Sequence, residues 1–193
     1  MEIMTVCTGN ICRSPLAELL LTTRLADLGV QVHSAGTRGL DRAPMTPEAA
    51  RIATHFGVPQ DAADAHRSSY LTEDLLVTPH LVLGMTREHR RRVVELAPSK
   101  LRTAFTAREF ARLAASRTDD EIRASGYGAD ATARFTAAVI ALAGLRGLVA
   151  PPADPGDDDV IDPYRQPWEV YLDSADQLLP ALDQVERVAR LVV

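Results

Sequence analysis

Val6-Cys7-Thr8-Gly9-Asn10-Ile11-Cys12-Arg13-Ser14-Pro15 lies between two regular patterns. Before it, Met1 to Val6 is a short apolar run suited to a buried strand. After it, Leu16 to Leu28 reads as a helix, with Ser14 suited to the N-cap, Pro15 to the first helical position and Gly29 to the stop. The segment is thus predicted to turn from strand to helix. In an open parallel sheet, ligands bind beyond the carboxyl ends of the strands. Backbone N–H groups of Thr8, Gly9, Asn10, Ile11, Cys12, Arg13 and Ser14 can converge there on an anion, with the helix dipole behind them. Gly9 is expected to let the backbone turn tightly.

Further along, the same alternation repeats. Val30 to His33 reads as a strand and Pro47 to Phe56 as a helix. Leu81 to Leu83 is a third strand, followed by a helix from Thr86 to Leu96. Leu101 to Phe105 is a weaker strand candidate. Arg108 to Ala115, Asp130 to Leu148 and Ser174 to Leu191 are helical by pattern, with Pro180 set to bend the last or mark its start. Strands alternating with helices imply an α/β fold, a parallel sheet covered on both faces. The expectation is one domain over residues 1–193, with Ala150 to Asp159 as a surface loop rather than a boundary.

Composition sets the class. The chain has 193 residues, 46% apolar and 24% charged, with a net charge of -5. That is the balance of a globular protein and gives no sign of nucleic-acid or membrane binding. The first residues lack the pattern of a signal peptide, and the most apolar stretch, Phe135 to Ala150, is interrupted by Arg146 and too short to span a bilayer. Two cysteines close together, Cys7 and Cys12, do not make a disulfide framework. The expected setting is the cytoplasm, where thiols stay reduced.

The quoted loop carries the chemistry. Cys7 leads it, where a helix N-terminus and a guanidinium favour a thiolate. Arg13, after five intervening residues, can hold two phosphate oxygens in a planar fork. The Ser14 hydroxyl can bond the sulfur and ease its departure. Cys12 can pair with Cys7 on oxidation and switch the site off, or simply pack.

The segment resembles the signature of the low-molecular-weight protein tyrosine phosphatase family. Ser34-Ala35-Gly36-Thr37 and Gly84-Met85-Thr86-Arg87-Glu88-His89 match that family as well. The resemblance implies a flavodoxin-like, three-layer fold with a four-stranded parallel sheet, no metal and no cofactor. It implies hydrolysis of a phosphate monoester, phosphotyrosine in a protein, with inorganic phosphate as product. It assigns Asn10, Ser34 and His66 to a network that holds the loop in shape. Residues 105–159 form a longer helical or loop segment than the family's and find no counterpart in it, so a partner surface or a cover over the cleft stays open for them.

A thiolate displaces an alkoxide from phosphorus only if the leaving oxygen is protonated. Val160-Ile161-Asp162-Pro163-Tyr164 matches the family's Asp-Pro-Tyr loop, which makes Asp162 the general acid and then the base for water. Asp157, Asp158 and Asp159 read as a solvated charge run. The family often has an aromatic cleft wall after the Ser-Ala-Gly-Thr stretch. Here Arg38-Gly39-Leu40-Asp41-Arg42 leaves Leu40 to stand in, with Tyr164 opposite. That departure bears on phosphotyrosine preference and not on the phosphatase chemistry. Two rivals are an arsenate reductase using Cys7 with a small-molecule thiol, and a non-catalytic phosphate-binding regulator. No cysteine follows Cys12, which closes the thioredoxin-coupled route.

Overall fold

The computed structural model describes residues 1–38, 40 and 42–193. The elements in chain order are β1 (Glu2–Cys7), α1 (Arg13–Arg24), β2 (Gln31–Gly36), α2 (Pro47–His55), α3 (Gln60–Ala65), β3 (Leu81–Gly84), α4 (Arg87–Leu96), β4 (Ala104–Thr106), α5 (Ala107–Ala115), α6 (Asp119–Ser125), α7 (Ala131–Ala143) and α8 (Trp168–Val192). The four strands form one parallel sheet in the order β2-β1-β3-β4. The alternating pattern predicted such a parallel α/β sheet, and its four-stranded, flavodoxin-like form is the one the family resemblance implied.

The side-chain alternation of a strand divides the core. Ile3, Cys7, Val32, Leu81, Leu83 and Phe105 point to one face, which is covered by α1, α5 and α8 among others. Met4, Val6, Ala35, Val82 and Ala104 point to the other, where Val93 of α4 and the Leu71 to Leu76 segment close over them. Between these layers the carboxyl ends of β1 and β3 come out side by side, with Val6 paired to Gly84.

Several boundaries differ from the sequence pattern, for identifiable reasons. Helix α1 begins at Arg13, before Ser14, and its cap residue Cys12 makes no side-chain capping bond. Ser14 is buried inside the first turn because its hydroxyl is used on Cys7 rather than as a cap. Strand β2 runs on through Ser34 to Gly36, so Ser34 lies in the strand and not after it. Pro98 to Arg102 is a 3-10 turn, and β4 starts only at Ala104. Helix α7 stops at Ala143, and α8 begins at Trp168. Pro180 sits on the exposed side of α8, as does Asp176, whose carbonyl it leaves without a helical donor; water can satisfy that group, and the helix continues.

The 105–159 stretch supplies core. Phe110, Ile122, Phe135, Val139 and Leu142 are buried in the main cluster, and Phe105 and Phe110 meet edge-to-face with centroids 5.4 Å apart. Thr106 and Thr118 both form capping boxes, fixing the starts of α5 and α6. Phe110→Ala is expected to lower unfolding free energy by about 3–5 kcal/mol. Denaturant unfolding checks this; a loss under about 1 kcal/mol would mean that α5 is not packed as described.

Candidate active site

The loop from Thr8 to Cys12 joins β1 to α1 and is shaped by its neighbours. Asn10 takes the left-handed conformation, φ 56°, which Asn tolerates better than most residues. Gly9 has no positive φ, so the tight turn expected of it falls to Asn10. The glycine that matters is Gly36, where a Cβ would lie 2.7 Å from Thr8 O. Its absence lets β2 run against the loop, and Thr37 N and Arg38 N donate to Cys7 O and Thr8 O, each at 2.9 Å.

Two donors aim at the Cys7 sulfur. Asn10 N lies 3.2 Å from it and Ser14 Oγ 2.9 Å. Ser14 in turn accepts from Asn10 Nδ2 at 3.0 Å, so its proton is left for the sulfur. Asn10 is held on all sides. Its Nδ2 also donates to Ser34 Oγ at 2.6 Å, its Oδ1 accepts from Ser69 N at 2.8 Å, and its carbonyl accepts from His66 Nε2 at 2.8 Å. Ser34 Oγ donates to Glu18 Oε2, which also lies 3.8 Å from His66 Nδ1. The expected trio of Asn10, Ser34 and His66 is therefore brought together. Glu18 completes the network, its carboxyl pushed above the usual range by burial, against the pull of Ser34 and His66. In the sequence Glu18 looks like any helical Glu.

Arg13 is 4% exposed and reaches across to a distant segment. Its Nη1 donates to Val160 O at 3.0 Å, and its Nη2 lies 2.9 Å from Asp162 Oδ2. Among the described residues its Nε has no hydrogen-bond partner although it is buried. A buried donor without an acceptor is costly. In a buried guanidinium beside the Cys7 loop, such a free donor suits an anionic oxygen. Asp162 itself is half exposed.

Cys7, Thr8, Gly9, Ile11, Cys12, Arg13, Arg38, Leu40, Asp162 and Tyr164 line one cleft of about 240 Å³. Leu40 and Tyr164 both reach it, as their sequence positions suggested; Gly39 and Asp41 lie outside the described residues. Cys12 turns its thiol to Thr46 Oγ1 at 3.5 Å and Tyr171 Oη at 3.9 Å, and burial pushes that thiol up to about 11. No residue of 105–159 lines the cleft, so the segment does not cover it. Among the described residues no group of three His, Cys, Asp or Glu is placed to hold a metal ion.

Two features were given no role from the sequence. His89, one of four histidines with no role suggested by its neighbours, is buried, with Nε2 2.9 Å from Thr8 Oγ1 and Nδ1 2.9 Å from Thr86 Oγ1. Asp158 and Asp159 are not a solvated run. Asp158 is 15% exposed and pairs with Arg112 at 2.8 Å, while Asp159 pairs with Arg87 at 3.0 Å.

A thiol with two donors on its sulfur, a buried guanidinium and a carboxyl meet at the carboxyl end of a parallel sheet. Fold and site together define the class of phosphate-handling proteins built around a cysteine loop. Residues 2–141 match the family model for low molecular weight phosphotyrosine protein phosphatases. This chain belongs to that family. Asp162 lies beyond the matched residues. The chain is 43% identical over 97 residues to the low molecular weight protein-tyrosine-phosphatase Etp of Escherichia coli K12, a match covering 50% of this chain and 62% of Etp. It is 35% identical over 184 residues to a protein-arginine-phosphatase of Geobacillus stearothermophilus, covering 95% and 93%. A crystal structure of a low molecular weight protein tyrosine phosphatase from T. tengcongensis superposes with a TM-score of 0.65 at 27% identity, covering 96% and 97%.

Burial, then the Arg13 guanidinium, pull His89 from 6.5 down to about 4, against smaller opposite effects of Asp162, Asp159 and Glu88. Between those values the unfolded chain carries the ring proton and the folded chain does not. Stability therefore falls as pH drops through this window and levels off below it, by about 3 kcal/mol from this one residue. Urea unfolding of wild type and His89→Gln at pH 7 and pH 4.5 checks this. The wild type should lose more stability on acidification than the variant; equal losses would contradict the buried neutral imidazole.

Proposed function

We propose that this protein is a protein tyrosine phosphatase, hydrolysing phosphate monoesters through a phosphocysteine on Cys7. The observation that carries the reading is the Cys7 sulfur with Asn10 N and Ser14 Oγ both aimed at it, beside the buried Arg13. The phosphoryl group takes the loop N–H groups and the Arg13 fork, replacing the Asp162 carboxylate on the guanidinium, and Asp162, released from that ion pair, takes up a proton from solvent. Cys7 sulfur attacks phosphorus. The bond from phosphorus to the phenolic oxygen breaks, and that oxygen takes the proton of the Asp162 carboxyl. Asp162, now a carboxylate, takes a proton from water as the water oxygen attacks phosphorus. The sulfur–phosphorus bond breaks, Ser14 donates to the departing thiolate, and inorganic phosphate leaves.

The cleft walls support an aryl ester. Ile11, Leu40 and Tyr164 present apolar surface against which a phenyl ring packs. A phosphoarginine, the substrate named for one relative, carries a guanidinium that needs acceptors around it, and among the described residues the lining offers one carboxylate, Asp162. The proposed substrate is thus phosphotyrosine in a protein, and the proposed setting the reducing cytoplasm. Among the described residues no helix is long and apolar enough to cross a membrane.

Steady-state hydrolysis of an aryl phosphate by wild type, Cys7→Ser and Asp162→Asn checks the reading. Wild type should turn over, Cys7→Ser should be inactive, and Asp162→Asn should be slower by roughly 10²–10⁴-fold. A phosphotyrosine peptide should be cleaved faster than its phosphoarginine counterpart. Absence of turnover by folded wild type would overturn the phosphatase reading, and the reverse substrate order would overturn the tyrosine one.

A further inference from the structure

The stretch Gly84-Met85-Thr86-Arg87-Glu88-His89 takes no part in the reaction set out above, yet it touches both loops that do. Toward the phosphate loop, His89 Nε2 meets Thr8 Oγ1 at 2.9 Å. Toward the acid loop, Asp159 receives Arg87 N at 2.7 Å on Oδ1 and Arg87 Nη2 at 3.0 Å on Oδ2, with Arg87 Nε between them at 3.2 and 3.3 Å. Asp159 is three residues before Asp162. The next residue, Val160, donates its N–H to Met85 O at 2.8 Å. Gly84 lets the first turn of α4 fold back onto the end of β3, since a Cβ there would lie 2.8 Å from Arg90 N and 3.1 Å from Thr86 O.

We infer that Arg87 and Asp159 are positioning residues: their ion pair fixes the acid loop against the first turn of α4 and so holds Asp162 at the leaving oxygen. This rests on the phosphatase reading above. The helix has its own cap besides, since Thr86 accepts from His89 N. Arg87 is 53% exposed, and pairs so exposed add little to stability. Its consequence lies in geometry. A reacting group displaced by about 1 Å loses on the order of 10²-fold in rate. Because His89 grips Thr8 from the same helical turn, α4 sets the spacing between the nucleophile loop and the acid loop.

The test compares kcat/KM for phenyl phosphate and p-nitrophenyl phosphate in wild type, Asp162→Asn, Arg87→Ala and Asp159→Asn, with inhibition by inorganic phosphate and thermal unfolding alongside. The nitrophenolate leaves with little protonation, so misplacing the acid should spare it. Arg87→Ala and Asp159→Asn should each lose about 10–100-fold on phenyl phosphate and less than about 3-fold on the nitrophenyl ester. Phosphate inhibition should stay unchanged, and the double variant should be no worse than either single one. Asp159→Asn keeps the side-chain shape and serves if Arg87→Ala does not fold. Equal losses on both esters, weakened phosphate inhibition or wild-type rates would each overturn the proposal. The controls separate the two readings. A wild type without turnover removes the phosphatase function and the positioning role with it. A normal wild type, a slow Asp162→Asn and unaffected Arg87 and Asp159 variants remove the positioning role alone.

Discussion

The buried guanidinium of Arg13 is the constraint on which the site depends. A cation taken out of water is costly unless partners meet it. Here the partners are Val160 O and the Asp162 carboxylate, 147 and 149 positions further along the chain. The phosphate loop and the acid loop are thereby made parts of one structure. The third face of the same side chain, Nε, is left as a buried donor without a partner among the described residues. Folding thus builds a cationic fork that is satisfied on one side and open on the other.

Around that fork, neighbouring groups of the same type are driven to different states by their surroundings. Cys7 sits at the cleft with two donors on its sulfur, whereas Cys12, five residues on, faces Thr46 and Tyr171 with its thiol raised to about 11 by burial. One is suited to attack and the other to packing. Glu18 and His66 serve behind the loop, their polar atoms spent on Ser34 and on the Asn10 carbonyl. Such a preorganised shell lets the loop receive charge without rearranging, which is where electrostatic catalysis gains most.

How much of this was legible in the sequence follows from the range of each interaction. The strand-loop-helix around Cys7 is written locally, in Val6 to Pro15, and so are the starts of α2 at Pro47 and of α4 after Thr86. Ser14 shows the limit of local rules, since its type suits an N-cap but tertiary structure uses its hydroxyl on sulfur. Asp158 and Asp159 look solvated because nothing nearby in the chain pairs with them; their arginines lie 46 and 72 residues away. His89 closes the family-like stretch from Gly84, but no role could be read for it because its partner Thr8 lies 81 residues away. The short helices α3 and α6 carry too few apolar positions to show a period. The Asp-Pro-Tyr segment was readable only through likeness to a family, because an Asp before a Pro is common in loops.

The most direct test of the account is to trap the covalent state. Protein mixed with a saturating aryl phosphate and quenched in acid within one turnover should yield a peptide containing Cys7 that carries one phosphoryl group. The modified fraction should be greater in Asp162→Asn with an activated ester, because that change slows the hydrolysis step. Release of the phenol in the first turnover with Cys7 unmodified, or with the phosphoryl group on another residue, would contradict the account.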